Sequence, residues 1–240
     1  MEELFAPLGF LNKLKHTEWQ RLQQVGHSNS FKKNSYIFRA DDLNDSIYIL
    51  LNGRIKITRL SQQGRELIQW FCLPGEIFGL SEDRKNHQRG LYAQAITEVK
   101  LLCIQKDDFN QFILQHPETG LLIIKQLASR LRSVGDMLSN VTSDGAHVRI
   151  IKLLQRLSES YGRTTDSKIY IDIYLTHQEM ADMIGVCRQT VSSMVGVLKK
   201  QGIINTTRTG IFIQSPVVLQ QLSEQTDIYF QHFTKTQAKH

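Results

Sequence analysis

The spacing of apolar positions changes along the chain, and each change marks a different kind of element. Residues 3–26 carry the mixed spacing of one or two short helices, with Phe10, Leu14, Trp19, Leu22 and Val25 at the packing positions. From Phe31 to about Ile104 the pattern shortens to β-rich runs at residues 36–38, 47–51, 55–60, 67–71, 92–96 and 101–104. Turn formers separate them: Asp41-Asp42, Asn52-Gly53, Gln63-Gly64 and Pro74-Gly75. Many short strands joined by Gly-containing turns predict a sandwich or jelly-roll barrel.

A helical period follows. Ile124, Leu127, Leu131, Val134, Leu138 and Val141 step by 3, 4, 3, 4 and 3 residues, a heptad seam within a helix over 120–143. A stripe this narrow on a long helix between two domains predicts a two-stranded coiled coil and a symmetric dimer, the rival being a helix packed on its own domain. Thr142-Ser143-Asp144-Gly145 breaks the pattern and makes a natural hinge. A helix is predicted over 148–157, a polar loop over 158–168 and a strand over 169–175.

The most specific segment is LTHQEMADMIGVCRQTVSSMVGVLKKQGII, residues 175–204. Thr176 caps the helix it precedes and Glu179 completes a capping box. Met180, Ala181 and Ile184 form an apolar face, and Gly185 supplies the turn. In a second helix from about Arg188, Val191, Val195 and Leu198 face inward, while Arg188, Gln189, Ser192, Ser193, Lys199 and Lys200 face outward. Two short helices joined at a Gly, the second polar along its exposed edge, suit a DNA major groove. Arg188 has the donors for guanine and Gln189 the paired donor and acceptor for adenine. Thr176, His177, Gln178, Thr190, Ser192 and Lys199 suit phosphates, which fix register without reading sequence. Residues 203–213 form a hairpin wing with Arg208 near the DNA backbone. The rival is a structural hairpin of helices whose polar face meets only water.

Composition narrows the setting. A chain of 240 residues accommodates two modest domains, and 41% apolar with 22% charged residues is ordinary globular composition. The net charge of +6 leans toward the C-terminal part: residues 146–240 hold 11 Lys and Arg against 7 Asp and Glu, and residues 1–145 hold 18 against 16. That bias is mild for a nucleic-acid surface. Cys72, Cys103 and Cys187 lack the spacing of a disulfide framework or zinc module. No signal peptide or membrane-spanning run is read, so the expected location is cytoplasmic, without a membrane partner.

The whole order resembles the CRP/FNR family of transcription regulators. DDLNDSIYILLNGRIKITRLSQQGRELIQWFCLPGEIFG is similar to that family's β-roll, and the 175–204 segment to its recognition motif. The resemblance implies an α+β chain: an N-terminal cyclic-nucleotide-binding-like jelly-roll β-barrel over 1–119, a dimerisation helix over 120–143, and a C-terminal winged helix-turn-helix over 144–240. It implies a homodimer on a near-palindromic operator in double-stranded DNA, RNA polymerase as a partner, and a small-molecule effector. That effector would bias two orientations of the DNA-binding domains about the 142–145 hinge.

Relatives that bind cyclic AMP use a Gly-Glu pair and an Arg-Ser pair; the matching positions here are Gly79-Leu80-Ser81 and Arg89-Gly90. The ribose carboxylate is absent unless Glu82 supplies it through a two-residue shift, and the adenine-contacting pair falls on Val134-Gly135. These departures argue against cyclic AMP, with Arg89, read as a loop charge, the one remaining phosphate partner. An iron–sulfur cluster needs closely spaced N-terminal cysteines, and none precedes Cys72. Haem has Cys72, Cys103 and His87 as axial candidates by type alone, and such residues are more often core or surface. The family motif Arg-Glu-Thr-Val-x-Arg becomes Arg188-Gln189-Thr190-Val191-Ser192-Ser193, which implies a different operator preference. Two other classes compete: a cyclic-nucleotide-binding signalling module acting through protein partners, and a cupin-type enzyme. For the second, no His-x-His, nucleophile elbow or P-loop occurs, and no catalytic residue or metal ligand is assigned. The segment after Pro216 receives no role.

Overall fold

The computed structural model describes residues 10–64, 66–80, 88–165, 168–173, 175–207 and 209–224, without the side chains of 133, 137, 138 and 140–143. A 3-10 turn at Leu11–Lys13 leads into α1 (His16–Val25) and eight strands: β1 (His27–Phe31), β2 (Tyr36–Phe38), β3 (Ser46–Asn52), β4 (Ile55–Leu60), β5 (Glu66–Cys72), β6 (Ile77–Phe78), β7 (Tyr92–Ala95) and β8 (Val99–Gln105). Next come α2 (Lys106–Gln115) and α3 (Pro117–Ser143). The chain divides into two compact units, Met1–Leu131 and Arg132–His240, so the division falls inside α3.

The strands of the first unit form two antiparallel four-stranded sheets, ordered β1-β8-β3-β6 and β2-β7-β4-β5. The expected jelly roll is present as these two sheets; they do not close into one barrel among the described residues. Period-2 alternation explains the two cores. Leu50 of β3 and Leu101 and Cys103 of β8 face Phe38, Ile55, Ile57 and Phe78 in one core. Their neighbours Ile47, Ile49, Leu102 and Ile104 join Phe10, Leu22, Phe109 and Phe112 in the other. Phe10 and Leu22 are buried and Leu14, Trp19 and Val25 pack beside them, as their spacing predicts.

β1 and β6 lie outside the predicted runs. HSNSF is almost wholly exposed and pairs along β8 as an edge strand, so it carries no apolar alternation to read. β6 has only two residues, too few to show a period.

The second unit begins with the end of α3 and continues through α4 (Ala146–Tyr161), β9 (Gly162–Thr165), β10 (Lys168–Ile171), α5 (His177–Ile184), α6 (Arg188–Lys200), β11 (Ile204–Thr206), β12 (Ile211–Ile213) and α7 (Pro216–Ser223). Its sheet is ordered β11-β12-β10-β9. Two expectations are corrected here. The polar stretch 158–168 is not a loop: α4 runs on to Tyr161, and β9 pairs antiparallel with β10, its exposed threonines giving no apolar signal. The strand predicted to residue 175 ends at Ile171. α4 buries Val148, Ile150, Ile151, Leu153, Leu154 and Leu157 and is the centre of this unit's core. α7, with Pro216 in its first turn, packs on α4 and buries Leu219 and Leu222, which gives the segment after Pro216 a structural role.

Candidate nucleic-acid interface and sensing pocket

The helix pair α5–α6 is fixed by local chemistry at each end. The Thr176 hydroxyl accepts the Glu179 N–H at 3.1 Å, and the Glu179 carboxylate accepts the Thr176 N–H at 2.8 Å, so both halves of the capping box are made. Gly185 ends α5 in the left-handed region at φ 65°, where a side chain would be strained. Behind this turn, Arg149 of α4 donates from Nη1 to the Ile184 carbonyl at 2.9 Å, satisfying an end carbonyl of α5 and opposing its negative pole. Nothing in the sequence pattern singled out Arg149.

On α6, Val191, Met194, Val195 and Leu198 are buried, whereas Arg188, Gln189, Ser192, Ser193, Lys199 and Lys200 are exposed. The residues expected to read bases therefore share the free edge. Thr190 is half-buried and its Oγ1 lies 2.9 Å from Cys187 Sγ. That contact, with further hydrogen bonds at the start of α6, holds the exposed Cys187 thiol below its ordinary range. Gln178 donates to Asp182 at 3.0 Å one turn along α5, and Lys199 donates to Thr206 of β11 at 3.0 Å, tying α6 to the wing. β11 and β12 make the expected hairpin, and Tyr170 of β10 stacks on Phe212 with centroids 4.4 Å apart. An open cleft of about 800 Å³ runs between the wing and the helix pair, lined among others by Thr176, His177, Gln178, Arg188 and Thr207. Four residues expected at DNA thus border one groove. Arg208 lies outside the described residues.

In the first unit, Gly79 and Arg89 come together, as a shared pocket requires. Arg89 is not the solvated loop charge expected: it is fully buried. Its guanidinium donates to the Ser46 carbonyl at 2.6 Å and the Gly79 carbonyl at 3.3 Å, and lies 4.2 Å from the Phe38 ring centroid. Two carbonyls thus take the two terminal nitrogens, and an aromatic wall flanks the charge where water does not reach. Gly79 has φ 82°, and a Cβ there would press on Arg89 Nη1 and the Tyr48 ring. Burial raises the Tyr48 hydroxyl above its usual range, opposed by Arg89. Leu80 and Gly90 are half-buried; Ser81, Glu82 and His87 lie outside the described residues. Cys72 and Cys103 are core residues, and burial pushes the Cys103 thiol up to about 11. Val134 and Gly135 are exposed on α3.

A second polar group went unread in the sequence. Arg130 of α3 lies 3.6 Å from Glu76 and 5.1 Å over the Trp70 ring. Glu76 also accepts the Leu73 N–H at 2.8 Å; burial raises its carboxyl, and Arg130 opposes that rise. Gln126, one turn before Arg130 and on its face, has both amide atoms buried with no hydrogen-bond partner among the described residues. The i, i+4 spacing of Gln126 and Arg130 was the available signal.

The seam of α3 is bare in the single chain. Ile124 is 61%, Leu131 73% and Val134 62% exposed, and Leu127 is also exposed. Leu121 extends the stripe by one step. The side chains of Leu138 and Val141 lie outside those described.

Residues 28–116 match the cyclic nucleotide-binding domain family and residues 148–222 the Crp-like helix-turn-helix domain family. The chain is 28% identical over 194 residues to the global nitrogen regulator of Synechocystis sp., covering 80% of this chain and 86% of the relative. It is 24% identical over 213 residues to the CRP-like cAMP-activated global transcriptional regulator of Mycobacterium tuberculosis, covering 89% and 95%. The fold is shared with the solved structure of FixK2 from Bradyrhizobium japonicum, at a TM-score of 0.70 and 20% identity over 84% of this chain and 99% of that one. A sensing sandwich followed by a capped helix pair and wing, with both domain families matched in that order, shows that the chain belongs to the CRP/FNR family of DNA-binding transcription regulators.

Proposed function

We propose that the chain acts as a homodimer that reads a near-palindromic operator with the exposed edge of α6. The observation that carries this reading is the division of α6 itself: four residues buried inward, and Arg188, Gln189, Ser192 and Ser193 free on the outer edge with no acidic residue in the first turn. Arg188 donates to guanine and Gln189 pairs with adenine. Thr176, His177, Gln178, Thr190, Lys199 and Arg208 contact phosphates. Ser193 in place of a second arginine shifts the preferred half-site from the usual family sequence. The stripe on α3 supplies the dimer seam, and the location is that of the DNA, the cytoplasm. RNA polymerase is the downstream partner.

For regulation, we propose a polar small molecule that docks where the sandwich meets α3 and satisfies the orphaned Gln126 amide and the Arg130 guanidinium. Arg89 is engaged by protein carbonyls and an aromatic ring. A cyclic nucleotide phosphate would have to displace these contacts, and Leu80 offers no carboxylate to a ribose. These departures make cyclic AMP a poor match for the described part of the pocket.

The test is selection of bound fragments from random DNA, followed by gel shift. The expected product is a twofold site whose affinity falls steeply with salt. Arg188→Ala should lose about 1–3 kcal/mol at that site and relax one base position. Unchanged binding by Arg188→Ala would reject the role given to that residue, and failure to select any DNA would favour a signalling module acting through protein partners.

A further inference from the structure

Three ligating side chains from three different elements meet at the corner where α1 lies beside the start of α3. Glu18 is in α1, His116 joins α2 to α3, and Glu118 is in the first turn of α3; one ligand atom of each lies within 4.8 Å of the others. Glu18 is only 2% exposed. Its Oε2 accepts the Lys15 N–H at 2.8 Å, and its buried Oε1 finds no N–H donor among the described residues, the Glu118 carboxyl being its hydrogen-bonding neighbour. A buried carboxylate facing a second carboxylate is strongly disfavoured unless a proton or a cation sits between them. Lys15 does not relieve it: its Nζ sits 3.4 Å from the half-exposed Glu118, with its own side chain largely in solvent. Beside Glu118, the buried Thr119 hydroxyl also lacks a partner among the described residues.

We propose that this corner binds one divalent transition-metal cation of the zinc class, held by Glu18 Oε1, a ring nitrogen of His116 and the Glu118 carboxylate. Mixed nitrogen and oxygen donors suit zinc or manganese, whereas magnesium and calcium prefer oxygen alone. Three protein ligands leave a fourth position to water. Bonds of about 2.1 Å bring tetrahedral ligand atoms to roughly 3.4 Å apart. The half-exposed Glu118 closes the gap by swinging inward and releasing Lys15. The His116 ring is already oriented, stacked on Phe112 with centroids 4.6 Å apart. The cation neutralises the buried carboxylate and ties α1 to the base of the helix that carries the apolar stripe. This site is independent of the proposed effector and DNA contacts.

The metal-stripped full-length chain is titrated with zinc alone by calorimetry, and with cobalt alone as an absorbance reporter. The expected result is one ion per chain, weakened about tenfold or more by His116→Ala and by Glu118→Gln, unchanged in Cys187→Ser, with the cobalt bands lost in His116→Ala. Glu118 is exposed and His116 half-buried against Phe112, so folding of each variant is checked by circular dichroism and the exposed Glu118→Gln carries the test if His116→Ala unfolds. Zinc should raise the melting temperature of the parent chain and not that of His116→Ala. Absence of saturable binding, binding undiminished in His116→Ala, or binding abolished by Cys187→Ser overturns the proposal.

Discussion

Thr176 sets where the reading pair of helices begins, and its contacts give a stability prediction. Thr176→Ala removes the acceptor for the Glu179 N–H and one of its reciprocal donors, and should cost about 1 kcal/mol, read as a lower denaturant midpoint. The three cysteines give a second. Cys187 is exposed with a lowered thiol range, while Cys72 and Cys103 are buried and Cys103 is pushed up to about 11. Alkylation near neutral pH followed by peptide mass analysis should therefore label Cys187 first, and labelling of Cys103 at an equal rate would contradict the described core. Glu76 gives a pH prediction. Burial raises its folded-state carboxyl above the unfolded value, so its contribution is fully present below the ordinary carboxylate range and is lost as pH rises through the raised value. Stability measured across that interval should decline less in Glu76→Gln.

At the scale of elements, α3 makes the sharpest prediction. Ile124 and Leu131 stand exposed at two positions of the stripe, so Ile124→Glu with Leu131→Glu should yield a monomer by light scattering and abolish specific DNA binding. A dimer that persists would place the interface elsewhere. Elements differ in how plainly the sequence writes them. α5, α6 and the strands flanking the Gly turns were legible because each buries one face and so writes its period into the residues. β1 and β9 were not, because edge strands with two wet faces, such as HSNSF and GRTT, leave no apolar trace. Arg89 was misjudged for a related reason: its burial depends on Phe38, Ser46 and Gly79, partners far along the chain. The same holds for Glu18 and His116, whose approach is a product of the tertiary fold.

The whole molecule carries separate cores in its two units, one set between and behind the sheets and one around α4. Calorimetric unfolding should accordingly depart from a single two-state transition. Only the steps coupled to the α3 seam should move with protein concentration. α3 belongs to both units without interruption, from Pro117 to Ser143, with the division at Leu131. A shared helix imposes a phase rule on the length of the gene product. One residue inserted after Leu131 turns everything beyond it by about 100°, and two or five throw the stripe to the far side, whereas seven bring it back to within about 20°. Operator binding across an insertion ladder should vanish at two and at five added residues and return at one full heptad, a periodicity that a flexible tether would never produce.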